Sequence, residues 1–108
     1  MNRVNVKPLS VNEVWIGRHI KTKPYRSYEK EMLYTLRPIP IPEAPYEVYL
    51  KFGVILLYDI DNGVKPFLDI LQKKYGFNDR YILRLVVEKE VVKSGNEFVE
   101  FEIKTLTK

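Results

Sequence analysis

Cysteine is absent from this chain of 108 residues, and histidine occurs once, at His19. Without thiols there is neither a disulfide nor a thiolate zinc site, and one imidazole leaves little scope for histidine metal cages or triads. Any metal has to be held by oxygen atoms. No apolar run approaches the roughly 18 residues of a membrane span, and the first residues lack the charged start and apolar core of a secretion signal. The expectation is an intracellular, cytoplasmic protein with no membrane attachment. Glycine is scarce, five residues in all, and two of them, Gly63 and Gly76, bracket a helical pattern.

What is present is enough apolar material for one core. At 45% hydrophobic residues the chain reads as a single domain, 1–108, with no second domain hidden in it. Its formal net charge is +4, which points toward a polyanionic partner. The cations are unevenly spread. Arg18, His19, Lys21, Lys23, Arg26 and Lys30 face only one acid, Glu29, with Tyr25 and Tyr28 interleaved. That segment is the candidate phosphate-binding surface, carried by Arg18, Lys21, Lys23 and Arg26.

Periodicity outlines the fold. Arg3 to Leu9 reads as a short edge strand ending near Pro8, followed by a turn at Ser10-Val11-Asn12-Glu13. Trp15 lies in a stretch without clear periodicity and reads as a core anchor. Tyr25, Tyr28, Met32 and Leu36 recur at helical spacing, and Pro38, Pro40, Pro42 and Pro45 then impose an extended connector. Tyr46 to Tyr58 is the longest strand candidate, alternating at first and then continuously apolar, as a central strand buried on both faces would be. A helix follows with Val64, Phe67, Leu68, Leu71 and Tyr75 on one stripe, closed by Gly76. Tyr81 to Val92 and Glu97 to Thr105 read as strands joined by a hairpin turn at Lys93-Ser94-Gly95-Asn96. Glu88, Glu90, Glu100 and Glu102 alternate on these strands as a solvated face. The order strand, helix, strand, helix, strand, strand gives an α+β domain with a mixed sheet and two helices.

The chemistry concentrates in Asp59-Ile60-Asp61-Asn62-Gly63-Val64-Lys65. If a strand runs to Tyr58, Asp59 and Asp61 are alternate residues at its end and can aim two carboxylates at one cation. Lys65, one turn into the helix, leans back toward the same point. Pro66 has no N–H for the Asn62 carbonyl and leaves that oxygen free. The plainer alternative is a helix start, with Asp61 or Asn62 as N-cap, Asp59 as a solvated turn residue and Lys65 paired with Asp61.

These residues resemble the RusA-like Holliday junction resolvases, small endonucleases of bacteria, phages and prophages. The family's Asp-x-Asp-Asn-x-x-Lys motif opening a helix is matched at 59–65. Phe67 to Leu71 resembles the family's helix, Gly76-Phe77-Asn78-Asp79 its Gly-Phe loop ending in Asp, and Pro8-Leu9-Ser10-Val11-Asn12 its N-terminal element. The resemblance implies a RusA-like fold and Mg²⁺-dependent (Mn²⁺ as substitute) hydrolysis of phosphodiesters at four-way DNA junctions. It implies a homodimer that cuts two opposed strands in recombination and repair, with no small-molecule cofactor. Carried over by position, the metal-binding carboxylates are Asp59, Asp61 and Asp79, the catalytic set is these three with Lys65, and Asn12 and Lys65 join the DNA-binding residues. Well-studied members carry arginines just before the first Asp, where this chain has Ile55-Leu56-Leu57-Tyr58; the Arg18–Lys30 segment is then the substitute source of charge.

Asp79 poses a geometric problem. If the strands before and after the 64–75 helix are parallel, a helix of about 12 residues spans roughly 18 Å and leaves Asp79 at the far end from Asp59. Either the loop from Gly76 doubles back, or Asp79 completes the site of a second subunit across a twofold axis. Two other functions compete: a non-catalytic nucleic-acid-binding module using the basic segment, and a protein-interaction adaptor using the proline run.

Overall fold

The computed structural model describes residues 1–9, 15–16 and 20–107, with side chains for Met1–Leu9 and from Thr22 to Thr107. A four-stranded mixed sheet carries two helices, and a separate two-stranded ribbon pairs β2 (Trp15–Ile16) with β3 (Ile20–Lys21). That ribbon is not signalled by periodicity. The Trp15 anchor, the 10–13 turn, Asn12 and Arg18 fall outside the described residues or side chains, as does the side chain of Lys21.

Helix α1 (Lys23–Thr35) begins where Thr22 caps it, its hydroxyl oxygen accepting from the Tyr25 N–H at 3.2 Å, with Pro24 in the first turn, where no N–H is missed. Tyr25, Tyr28, Met32 and Leu36 are all buried, as the stripe requires. The proline segment is a connector: Ile39 and Ile41 pack on the core, and the Arg37 carbonyl accepts from the Tyr75 hydroxyl.

Strand β4 (Tyr46–Val54) is central, flanked by β5 (Ile82–Val91) and β6 (Phe98–Thr105), with β1 (Asn2–Val4) on the far edge in the order β1-β6-β4-β5. Its alternate residues Tyr46, Val48, Leu50, Phe52 and Val54 are buried beneath the helices. Helix α2 (Val64–Tyr75) lays Phe67 edge-on against Phe52 and Phe101, ring centroids 6.2 and 5.6 Å apart. Gly76, at φ 74°, ends it in the left-handed conformation. The helices are tied together by Lys73 to Glu29 at 2.9 Å and by the Lys74 ammonium on the Leu33 carbonyl.

Two expectations need correction. The long strand stops at Val54: Ile55, Leu56 and Leu57 turn out of the sheet through a Tyr58 N–H to Ile55 carbonyl bond, leaving Leu56 71% and Leu57 88% exposed. The ladder closes there, with Val54 beside Val91 and the Val92 N–H donating to the Val54 carbonyl at 2.9 Å. The turn at 93–96 also joins no hairpin. β5 runs parallel to β4, and β6 lies antiparallel on the other side of β4, so the connection passes across the end of the central strand.

On the face away from the helices the glutamates do form a solvated lattice. Arg84 meets Glu47 at 3.1 Å, Lys51 meets Glu90 at 3.2 Å, and the Tyr49 hydroxyl donates to Glu88 at 2.8 Å.

Candidate functional site

The Asp59–Lys65 segment is built from consecutive turns between β4 and α2. After the turn closed on Ile55, the Asn62 N–H donates to the Asp59 carbonyl, the Val64 N–H to the Asp61 carbonyl, and the Phe67 N–H to the Gly63 carbonyl as the first helical bond. Asp59 and Asp61 are exposed, and neither continues a strand. The alternation argument for their convergence therefore fails. Their backbone lies instead in a loop of hydrogen-bonded turns.

Two side chains fix it. Tyr58 folds over Gly63 and donates its hydroxyl to the Leu9 carbonyl at 3.0 Å. A Cβ on Gly63 would lie 2.7 Å from that hydroxyl oxygen and 3.0 Å from the Phe52 ring, so only glycine allows the approach. From β5, the Lys89 ammonium donates to the carbonyls of Leu56 at 2.7 Å and Tyr58 at 2.5 Å. Lys89 was missed from the sequence although it left a trace. It occupies the helix-side row of β5, opposite Phe52, where Leu85, Val87 and Val91 are apolar. A cation in an otherwise apolar row has an oxygen-rich partner to meet.

Lys65 does not lean back. Its ammonium reaches forward one turn to Asp69 at 3.1 Å, with 65% of its side chain exposed. The i,i+4 geometry favours this, and an exposed pair of this kind is worth at most about 1 kcal/mol, so the lysine is easily drawn elsewhere. Pro66 is buried in the first turn, where the helix start tolerates a missing N–H. Gly63, without a side-chain cap bond, is the N-cap in place of Asp61 or Asn62.

Asp79 is remote from this loop. β4 and β5 are parallel, with Tyr46 beside Ile82 and Val54 beside Val91, so Asp79 precedes β5 at one end while Asp59 and Asp61 follow β4 at the other. The intervening loop does not double back. Phe77 packs edge-on against Tyr46 at 5.5 Å, the Asn78 side chain accepts from the Arg80 N–H, and the Gln72 side chain accepts from the Asp79 N–H at 2.9 Å. Among the described residues no three acidic or histidine side chains of one chain gather to hold a metal ion.

Of the basic segment, Lys23, Arg26 and Lys30 stand exposed along α1. Tyr25 and Tyr28 do not stack outward: both are buried, and desolvation raises each phenol above its ordinary range, with the negative charge of Glu29 adding to the effect on Tyr25. Beside the aspartate loop a cleft of about 230 Å³ is lined by Pro8, Val54, Leu57, Tyr58, Asn62 and Glu97, among others. No helix among the described residues is long and apolar enough to cross a membrane.

No protein-family model matches the chain, and no curated protein matches it.

Proposed function

We propose that this chain is a RusA-like, Mg²⁺-dependent endonuclease that acts as a homodimer on four-way and related branched DNA, cutting paired phosphodiesters in recombination and repair. The observation that carries this reading is the clamped loop. Asp59 and Asp61 sit on a segment held by Tyr58, Gly63 and Lys89, with Lys65 in the first turn of the helix that follows. Both carboxylates are exposed and so open to a ligand from solvent.

The donor set suits a hard divalent ion, because Asp59 and Asp61 offer only oxygen and Mg²⁺ prefers oxygen ligands with retained waters. One chain supplies two of the three carboxylates that the motif implies. The third, Asp79, lies at the opposite end of the β4–β5 pair, so the full set requires a second copy related by a twofold axis. A divalent ion bound there supplies charge stabilisation at a phosphate oxygen and a water acidic enough to act as nucleophile near neutral pH. The chain's own part is to orient those oxygens from a held loop and to offer the Lys65 ammonium, weakly occupied by Asp69, to the phosphate. DNA would approach from the helices and the loop, where Lys23, Arg26 and Lys30 are exposed, rather than from the open sheet face with Glu47, Glu88, Glu90, Glu100 and Glu102.

The test uses a labelled synthetic four-way junction. Wild-type protein with Mg²⁺ should give paired symmetric nicks that EDTA abolishes. Asp59→Asn and Asp61→Asn should lose cutting and keep junction binding, and mixed Asp79→Asn and Asp59→Asn subunits should recover part of the activity in heterodimers. Equal loss of binding and cutting in the aspartate variants would overturn the assignment.

One observation favours a second reading. The lack of a three-carboxylate cluster within the described residues of one chain suits a non-catalytic nucleic-acid-binding module working through α1. That reading predicts salt-dependent junction binding and no cleavage with any divalent ion.

A further inference from the structure

β5 ends the sheet. It pairs with β4 along one side, and none of the described strands takes up its other side. Edge strands are ordinarily short, covered, bulged or charged, because a free row of N–H and C=O groups recruits another strand; β5 carries charges at Arg84, Glu88, Lys89 and Glu90. This one runs ten residues, Ile82–Val91, one more than the central strand. Its apolar side chains are open as well, with Leu83 66% and Val91 56% exposed.

We propose that this edge docks a second copy of the chain, β5 pairing antiparallel with its own counterpart so that the two four-stranded sheets become one. The register follows from two features. The ladder with β4 slips between Tyr46 and Glu47, which leaves Leu83 as an extra residue, so regular backbone begins at Arg84. A twofold axis through Val87 keeps the new pairing within the regular Arg84–Glu90 stretch and keeps each side chain on its own face of the sheet.

Charge then falls into place. Arg84 lies opposite Glu90 of the copy, and by symmetry Glu90 lies opposite the copy's Arg84, both on the helix-free face. Val86 faces Glu88, Leu85 faces Lys89, and Val87 meets Val87, so no like charges oppose one another. Shifting the axis to Val86 would also place Arg84 opposite a glutamate, Glu88, but would draw the irregular Leu83 into the ladder.

The geometry has a consequence for the proposed nuclease site, and in this respect it rests on that reading. Antiparallel pairing carries the start of the copy's β5, with its Asp79, to the end of the sheet where Asp59 and Asp61 stand. The docking itself rests on the edge and its charges alone.

The absence of cysteine makes the test clean. In the full-length chain, Val87→Cys should form a disulfide-linked dimer on mild oxidation, because directly opposed antiparallel residues lie within disulfide range. Lys104→Cys, exposed on β6 away from this edge, should not. In sedimentation equilibrium, Arg84→Glu and Glu90→Arg should each weaken the wild-type dimer by about tenfold, and the double reversal should restore it. Thermal melts of each variant guard against simple misfolding, since Arg84 and Glu90 also pair with Glu47 and Lys51.

A monomeric wild type, a dimer indifferent to both reversals, or no Val87 cross-link in a dimer would overturn the proposal. Junction cleavage measured alongside separates the two readings. Cleavage without this cross-link sinks the surface alone, and the cross-link without cleavage sustains the surface while counting against the nuclease.

Discussion

The Lys89 ammonium of β5 sits 2.5 Å from the carbonyl of Tyr58, the residue that precedes Asp59. With the Leu56 carbonyl at 2.7 Å it forms a two-point clamp from one strand onto the loop leaving its neighbour. Charged donors to carbonyls are worth about 1.5–3 kcal/mol each where buried, and less here because one of the two bonds is exposed. Replacing Lys89 with Met keeps the aliphatic reach and removes the donor. Lys89→Met is expected to cost about 1–2 kcal/mol in urea unfolding and, on the proposed nuclease reading, to lower junction cleavage through kcat while junction affinity stays near wild type. Unchanged kcat with the same loss of stability would make Lys89 a structural residue only.

Gly63 and Tyr58 are coupled by contact, so their substitutions should not add. Gly63→Ala places a methyl 2.7 Å from the Tyr58 hydroxyl oxygen and 3.0 Å from Phe52, and overpacking of this kind costs about 1–3 kcal/mol. Tyr58→Phe forfeits the bond to the Leu9 carbonyl, about 1 kcal/mol, and opens the space. In a double-mutant cycle the combined variant should be more stable than the two single losses predict, by at least about 0.5 kcal/mol. Strict additivity would show that the methyl is accommodated by movement elsewhere.

How much of this was legible in the sequence depended on whether the signal was local. The stripe of α1, the Phe67, Leu68 and Leu71 part of the α2 stripe, the Gly76 cap, the start of β4 and the row of glutamates were read correctly because helical and strand periods declare which face is buried; Ile70, fully buried beside them, was not in the stripe, and Val64 and Tyr75 are only half-buried. The run Val54 to Tyr58 misled because a continuous apolar run carries no period, and nothing in it marks the turn that the Tyr58 N–H closes on the Ile55 carbonyl. The turn at 93–96 looked like a hairpin because four turn residues do not say whether the strands they join are neighbours; here β4 lies between them. For the candidate site, a local motif singles out Asp59, Asp61 and Lys65, the family resemblance alone adds Asp79, and helix length already raises its separation as a problem; the structure sets Asp79 at the opposite end of the β4–β5 pair and turns Lys65 to Asp69. The sequence reading missed the clamp by Lys89, whose place in an apolar row hints at a partner but whose partners are backbone oxygens that the row does not identify.

The packing of α2 against the sheet determines where the candidate loop ends. Phe67 and Leu71 are fully buried and Phe67 touches both Phe52 and Phe101. Phe67→Ala removes that bridge and should cost about 3–5 kcal/mol, and Leu71→Ala about 2–5 kcal/mol. Both variants should melt well below wild type by circular dichroism. Wild-type melting in either would mean that the helix does not bury this stripe.

Alkaline pH should loosen the open sheet face through Tyr49. Its hydroxyl donates to Glu88, and chiefly for that reason its pKa is pushed from 10.0 up to about 12, with lesser contributions from desolvation and from the negative charges of Glu88 and Glu100. The folded state thus holds this proton more tightly than the unfolded chain does. The stabilisation is complete below pH 10 and is lost as pH rises from 10 toward 12. Glu88→Gln removes the charged acceptor, so Tyr49 should titrate nearer its ordinary value in that variant, as read from the ring carbon shifts of labelled tyrosine. The decline of stability above pH 10 should become shallower to match. An unchanged Tyr49 midpoint in Glu88→Gln would show that the hydrogen bond does not hold the proton, and that burial and the remaining glutamates do.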